Sequence, residues 1–188
     1  MFSAGQHRKA TQVLIRHIIA VNPDVDRGQM LIGLEFDKED LLVDCDLRAC
    51  KISVLPRSFG ALVCSGALNL SHNQLGSLPV DFGQLEVGGS LYLHSNQLHT
   101  LPADFGQLQV GGDLHLTENQ LGSLPADFGQ LKVGGDLFLN YNQLHSLPEG
   151  FENISVGGDL DLCGNQLVEQ SCSFPNVQGE VKFEEDDY

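Results

Sequence analysis

The sequence predicts an α/β solenoid of stacked units, each contributing a short strand and a return segment, with a helical cap at the amino end. Three observations carry this expectation. Asn73, Asn96, Asn119, Asn142 and Asn165 are each separated by 23 residues. Around them the chain reads roughly GxxLxLxxNQLxxLPxxFxxLxV, with a proline column from Pro56 to Pro148 and a phenylalanine column from Phe59 to Phe174. The first 41 residues stand outside that register and place Val13, Leu14, Ile15, Ile18 and Ile19 around one helical face. A fixed period of this length marks stacked units, because one short unit cannot bury its apolar side alone.

In chain order, residues 1–41 form the cap, a helix followed by a strand or hairpin around QMLIGLEF (29–36) that covers the open core of the first unit. Charge and histidine interrupt the amino-terminal stretch too often for a secretory signal, and no apolar run approaches the ~18 residues that cross a bilayer. The repeats occupy 42–177 as about six units. In each LxL the two leucines point to one side of a strand and their neighbours to the other. The glycine pairs of VGG, at 88–89, 111–112, 134–135 and 157–158, read as a sharp turn into the strand that uses backbone angles only glycine tolerates. A phosphate-cradling loop would need Lys-Ser/Thr after the glycines and a helix opening there, and neither is present. Proline cannot donate to a sheet ladder, so LP belongs on the return segment. Residues 178–188 are expected to give an edge strand at VKF (181–183), followed by a charged tail that limits further pairing.

The recurring LxLxxNxLxxLP resembles the leucine-rich repeat superfamily over about residues 42 to 177, and 23-residue units with LP are most similar to its intracellular kind. The resemblance implies a parallel sheet along the concave face and loops and 3₁₀ turns along the convex return, with each asparagine turning its amide inward to bond backbone groups and Cys50 an accepted substitute there. One departure is the first position of the unit, leucine in the family and Leu42 here, but Ser65, Gly88, Gly111, Gly134 and Gly157 later. The preceding column, Cys64, Val87, Val110, Val133 and Val156, supplies the missing apolar contact.

Charge narrows the partners. Acidic residues total 25 against 10 basic ones, and residues 58–188 hold 17 of the acids against Lys132 and Lys182, so the whole net charge of −15 lies there. Such a surface repels nucleic-acid backbones, whose binding relies on cationic groups, and anionic membranes likewise. It attracts a protein partner with a basic patch. The same acidity also serves the solubility of an elongated monomer.

Five cysteines do not form a disulfide framework. Cys45, Cys50 and Cys64 occupy columns otherwise filled by Leu, Asn and Val and read as buried thiols. Cys163 and Cys172 either pair with each other or, as expected of a cytoplasmic protein, stay reduced. No CxxC or HExxH suggests a metal, and no cofactor is expected.

The strand positions between core leucines face solvent on the concave sheet. The column between the two leucines runs Asp46, Asn69, Tyr92, His115, Phe138, Asp161. Beside it lie Arg48, Ser71, His94, Thr117, Asn140, Cys163, and then Ala49, His72, Ser95, Glu118, Tyr141, Gly164. With strands about 4.8 Å apart, Tyr92, His115 and Phe138 form an aromatic stripe, with Tyr141 beside it. Before the first leucine, Ser90 is followed by Asp113, Asp136 and Asp159. This row of like charges is expected to raise at least one pKa unless a cation, a partner's basic side chain or backbone donors relieve it.

Two functions compete. The first is a non-catalytic interaction module holding a protein through Tyr92, His94, Asp113, His115, Glu118, Asp136, Phe138, Asn140, Tyr141 and Asp161. Within the family such modules act as scaffolds and regulators, and in pathogenic bacteria as effectors delivered into host cells. The tail FEEDDY resembles the glutamate-rich export signals of such effectors. Effectors with ubiquitin-ligase activity carry a separate catalytic domain, for which no residues are expected to remain here. The second is a hydrolase using a His/Asp/Ser array on the same face, which would show a pocket with close nucleophile–base contacts.

Overall fold

The computed structural model describes residues 4–167 and 173–184. The cap begins with helix α1 (Ala4–Val21) and a short helix α2 (Arg27–Ile32), which Asp26 caps by accepting the Gln29 N–H at 3.0 Å. Buried Asn22 ties the end of α1 to the first repeat. Its amide donates to the carbonyls of Ile18 and Val54, both at 2.8 Å, and its oxygen accepts the N–H groups of Ser53 and Val54 at 2.8 and 2.9 Å. Of residues 29–36, the first four end α2 and the last three form a strand.

Thirteen short strands follow one another among the described residues: β1 (Leu34–Phe36), β2 (Leu42–Asp46), β3 (Val63–Cys64), β4 (Leu68–Asn69), β5 (Glu86–Val87), β6 (Leu91–Tyr92), β7 (Gln109–Val110), β8 (Leu114–His115), β9 (Lys132–Val133), β10 (Leu137–Phe138), β11 (Ser155–Val156), β12 (Leu160–Asp161) and β13 (Val181–Lys182). They make two sheets. The concave one is ordered β1-β2-β4-β6-β8-β10-β12-β13 and is parallel except for the antiparallel pair β1/β2 at the cap. Its register advances by one unit per strand, pairing Leu91 with Leu114 and Leu114 with Leu137.

The second sheet, β3-β5-β7-β9-β11, lies on the convex side together with the 3₁₀ turns expected there, such as Phe82–Gln84 and Phe105–Gln107. The valine of VGG therefore ends a convex strand, and the glycines form the corner between the two sheets. Their physical reason also differs from the expectation. None of the VGG glycines has a positive φ. A Cβ on Gly111 would instead collide with the carbonyl of Gly88, and one on Gly134 with that of Gly111, so glycine is required by the close approach of successive backbones.

The core lies between the sheets. Its leucine rows are fully buried, and Phe59, Phe82, Phe105, Phe128 and Phe151 stack in a ladder with ring centroids 5.8–6.1 Å apart and planes within 9° of parallel. The inward asparagines close each turn. Asn119 donates to the carbonyls of Leu93 and Leu116 at 3.0 and 3.1 Å and accepts the Leu98 N–H at 3.0 Å, so one side chain bonds two units. Asn96 and Asn142 repeat the pattern. Cys45, Cys50 and Cys64 are buried thiols, and burial pushes Cys50 and Cys64 each up to about 11, which keeps them protonated and inert. Pairing of Cys163 with Cys172 lies outside the described residues, as do the last four residues of the FEEDDY tail.

Candidate functional site

Each concave strand presents one outward side chain between its two core leucines, and the parallel register brings these side chains into a row. Tyr92 stacks on His115 with centroids 4.7 Å apart and planes 21° from parallel; His115 stacks on Phe138 at 4.5 Å and 16°. All three are half-buried. His94 meets the row edge-on, 6.0 Å from Tyr92 and 5.9 Å from His115. His72 continues the cluster against His94 at 5.1 Å. His72 was not among the expected contact residues, although its column position, one unit before Ser95 and beside His94, was a signal for it.

The remaining expected residues are distributed around this centre. Asp113 and Asp136 belong to a rung system along the edge of the sheet. The Oδ1 of Asp113 accepts the Asp136 N–H at 2.9 Å, that of Asp136 the Asp159 N–H at 2.7 Å, and that of Asp159 the Glu180 N–H at 2.8 Å. Backbone donors thus relieve the like-charge row, and each carboxylate stitches its unit to the next. Glu118 accepts the Ser95 hydroxyl at 2.8 Å, and Asn140 accepts that of Thr117 at 2.7 Å. Asp161 lies one strand beyond Phe138. Exposed Tyr141 stands a column away from the stack, and its ring covers Gly164, where a Cβ would strike it.

The column holding Tyr141 has a backbone peculiarity. Ala49, His72, Ser95, Glu118 and Tyr141 all adopt left-handed φ of 53–54°, and the sixth unit has Gly164 at 64°. Glycine fills this conformation without the penalty a side chain incurs. Most units nevertheless place a side chain there, on the rim of the concave face.

Electrostatically the centre is neutral within an acidic surround. Burial holds His94 below the usual histidine range, helped by the neighbouring His72 and His115 and opposed by Glu118. Burial lowers His115 as well, against the pull of Asp113 and Asp136; its Nε2 is 3.9 Å from Asp113 Oδ2. The buried Nδ1 of His94 has no hydrogen-bond partner. The serine hydroxyls of this face bond elsewhere than to histidine. Ser71 donates to Asn69 at 2.7 Å, Ser90 accepts the Asp113 N–H at 3.0 Å, and Ser95 is held by Glu118. Among the described residues no three His, Cys, Asp or Glu side chains converge as metal ligands would.

The family model for leucine-rich repeats matches residues 67–85, the unit that contains β4, Asn73 and Leu78-Pro79. The repeat and the fold are those of leucine-rich repeat proteins. Two solved structures extend the likeness. The leucine-rich repeat protein LIC12759 of Leptospira interrogans is 28% identical, with a TM-score of 0.60 over 77% of this chain and 40% of its own. YopM of Yersinia enterocolitica shares the fold, with 20% identity and a TM-score of 0.54 over 94% of this chain and 42% of its own. The leucine-rich repeat chain described here therefore spans less than half the length of either. Comparison with curated proteins finds no match. No helix among the described residues is long and apolar enough to cross a membrane. Leucine-rich repeat proteins are typically non-catalytic modules for protein–protein interaction, and this chain has the architecture of one.

Proposed function

We propose that the concave sheet binds a protein partner carrying a basic patch, with the Tyr92–His115–Phe138 row at the centre of the contact. The observation that carries this reading is the row itself, three half-exposed rings in face-to-face contact on an otherwise polar, acidic face. Clustered aromatics with a polar rim are the usual centre of an interface. Asp113, Glu118, Asp136, Asn140, Tyr141 and Asp161 supply that rim, and His94 packs the edge of the row. The net charge of −15 selects a cationic partner and steers its approach. The reading includes a monomer that works in a cytoplasm, its own or a host's, where Cys45, Cys50 and Cys64 stay reduced.

A hydrolase on the same face has less support, because the serine hydroxyls are engaged by Asn69, the Asp113 backbone and Glu118. The test is affinity capture from candidate cell lysates with the parent protein beside the double variant Tyr92→Ala/Phe138→Ala, at low and high salt. Loss of a salt-sensitive partner in a folded variant supports the reading. A partner retained unaltered places the interface elsewhere.

A further inference from the structure

The aromatic row has two ends, and they differ. Inside the row the rings cover one another's faces, so only the outermost faces are open to a stacking group. The outer face of Tyr92 looks along the sheet toward Asn69, its register partner on β4. That amide is neutral, and its oxygen already accepts the Ser71 N–H and hydroxyl at 3.0 and 2.7 Å. The outer face of Phe138 looks toward Asp161, its register partner on β12. One end of the row meets a satisfied amide, the other a carboxylate.

The molecule itself shows what an aspartate at this position holds. In the first unit the equivalent residue is Asp46. Its Oδ1 accepts the N–H of Arg48, two residues on, at 3.1 Å, and its Oδ2 binds the Arg48 guanidinium at 3.0 Å. Asp161 makes the same turn, its Oδ1 accepting the Cys163 N–H at 2.9 Å. Cysteine replaces the arginine, however, and Cys163 is buried with its Sγ toward the carbonyl of Glu184 at 2.9 Å. Lys182, across from Asp161 on β13, directs its ammonium to Glu180 at 3.8 Å. Among the described residues Asp161 therefore has no ion pair, while its counterpart Asp46 has one. On the flank, Asp159 commits Oδ1 to the Glu180 backbone and adds a second negative charge.

We propose that this end of the row is an arginine-binding position: a guanidinium from the partner stacks on the open face of Phe138 and forks to Asp161, taking the place that Arg48 fills beside Asp46. This rests on the concave-face reading and sharpens it to one side chain of the partner. Planarity favours arginine over lysine. A guanidinium lies flat on a ring while presenting paired N–H groups in its own plane, whereas an ammonium offers a point charge.

The test is an NMR titration of the ¹⁵N-labelled full chain with N-acetyl-arginine N-methylamide, with the lysine and citrulline analogues as controls. The arginine analogue is expected to move the amides of Phe138, Asp161 and Cys163, the lysine analogue more weakly, and neutral citrulline not at all. Asp161→Asn keeps the Oδ1 that accepts the Cys163 N–H and should weaken arginine binding about tenfold. Phe138→Leu should weaken it about threefold. Glu86→Gln, exposed on the other sheet, should leave it unchanged. The unliganded spectra report whether each variant is folded, and Phe138→Leu tests the position even if Asp161→Asn disturbs its turn.

Shifts that spread over all the acidic residues, or a titration indifferent to both Asp161→Asn and Phe138→Leu, would overturn the proposal. If partner capture still needs Tyr92 and Phe138 while arginine ignores Asp161, this position fails and the wider interface stands. If arginine titrates at Asp161 but capture is indifferent to the double variant, the wider reading fails instead.

Discussion

Two rows of aromatic rings run along this solenoid, and they obey different rules. The inner one, Phe59 to Phe151, repeats one residue type through five consecutive units and is fully buried. The outer one, Tyr92, His115 and Phe138, spans three units, uses three residue types and is half-exposed. Both rows arise because parallel register sets equivalent positions of neighbouring units side by side. Uniformity marks the row that the fold demands, since every unit must fill the same space. The concave column tolerates Asp46, Asn69 and Asp161 at equivalent positions, so the fold alone does not ask for rings there. What concentrates them in the middle is best sought outside the fold.

This contrast can be broken or sharpened by substitution. The largest effect is expected from Phe105→Ala in the inner row, which empties a closed space and should destabilise the protein by about 3–5 kcal/mol in urea unfolding. Asn119→Ala should follow at about 2–3 kcal/mol. It strands the Leu98 N–H and the carbonyls of Leu93 and Leu116 inside the turn. Gly111→Ala should cost about 1–3 kcal/mol, because the added Cβ meets the carbonyl of Gly88 and the two units must part.

A smaller effect comes from the histidines of the outer row. Their folded pKa values lie below the ordinary 6.5, so in the window just under that value the unfolded chain binds more protons than the folded one. Stability should therefore rise with pH as it approaches about 6.5 from below and level off above it. His94→Gln with His115→Gln should flatten that rise in urea midpoints; an unchanged slope would assign it to other groups. The smallest effect is a gain. Ala49 is exposed with φ 54°, and Ala49→Gly should raise the unfolding free energy by at most about 1 kcal/mol by relieving the left-handed strain.

Much of this was legible before any coordinates. The 23-residue period and the LxL alternation set the concave sheet, and column counting alone brought Tyr92, His115 and Phe138 together. That worked because strand geometry is simple and each unit has the same length. The second sheet was missed because the LxV that builds it, as in Leu85-Glu86-Val87, alternates just as LxL does but was assigned to the looped return. Its corner glycines were misread for another reason: GG suggests unusual φ, whereas here the demand comes from a neighbour 23 residues away. For the carboxylate row of Asp113, Asp136 and Asp159 the sequence left three sources of relief open, a cation, a partner's basic side chain or backbone donors, since it shows charges but not the backbone N–H of the following unit that each oxygen accepts. Columns placed His94 and His72 beside the stack but did not show their edge-on packing, which depends on the turn after the strand.

The central claim is that the outer row is dispensable to the fold and kept for a partner. Its most direct test is the unfolding free energy of Tyr92→Ala/Phe138→Ala in urea, compared with the parent. Loss of cross-strand ring contacts alone predicts a decrease of about 1–2 kcal/mol for the pair. A decrease as large as two inner-row substitutions, about 6 kcal/mol or more, would mean that these rings hold the solenoid together, and would contradict the claim.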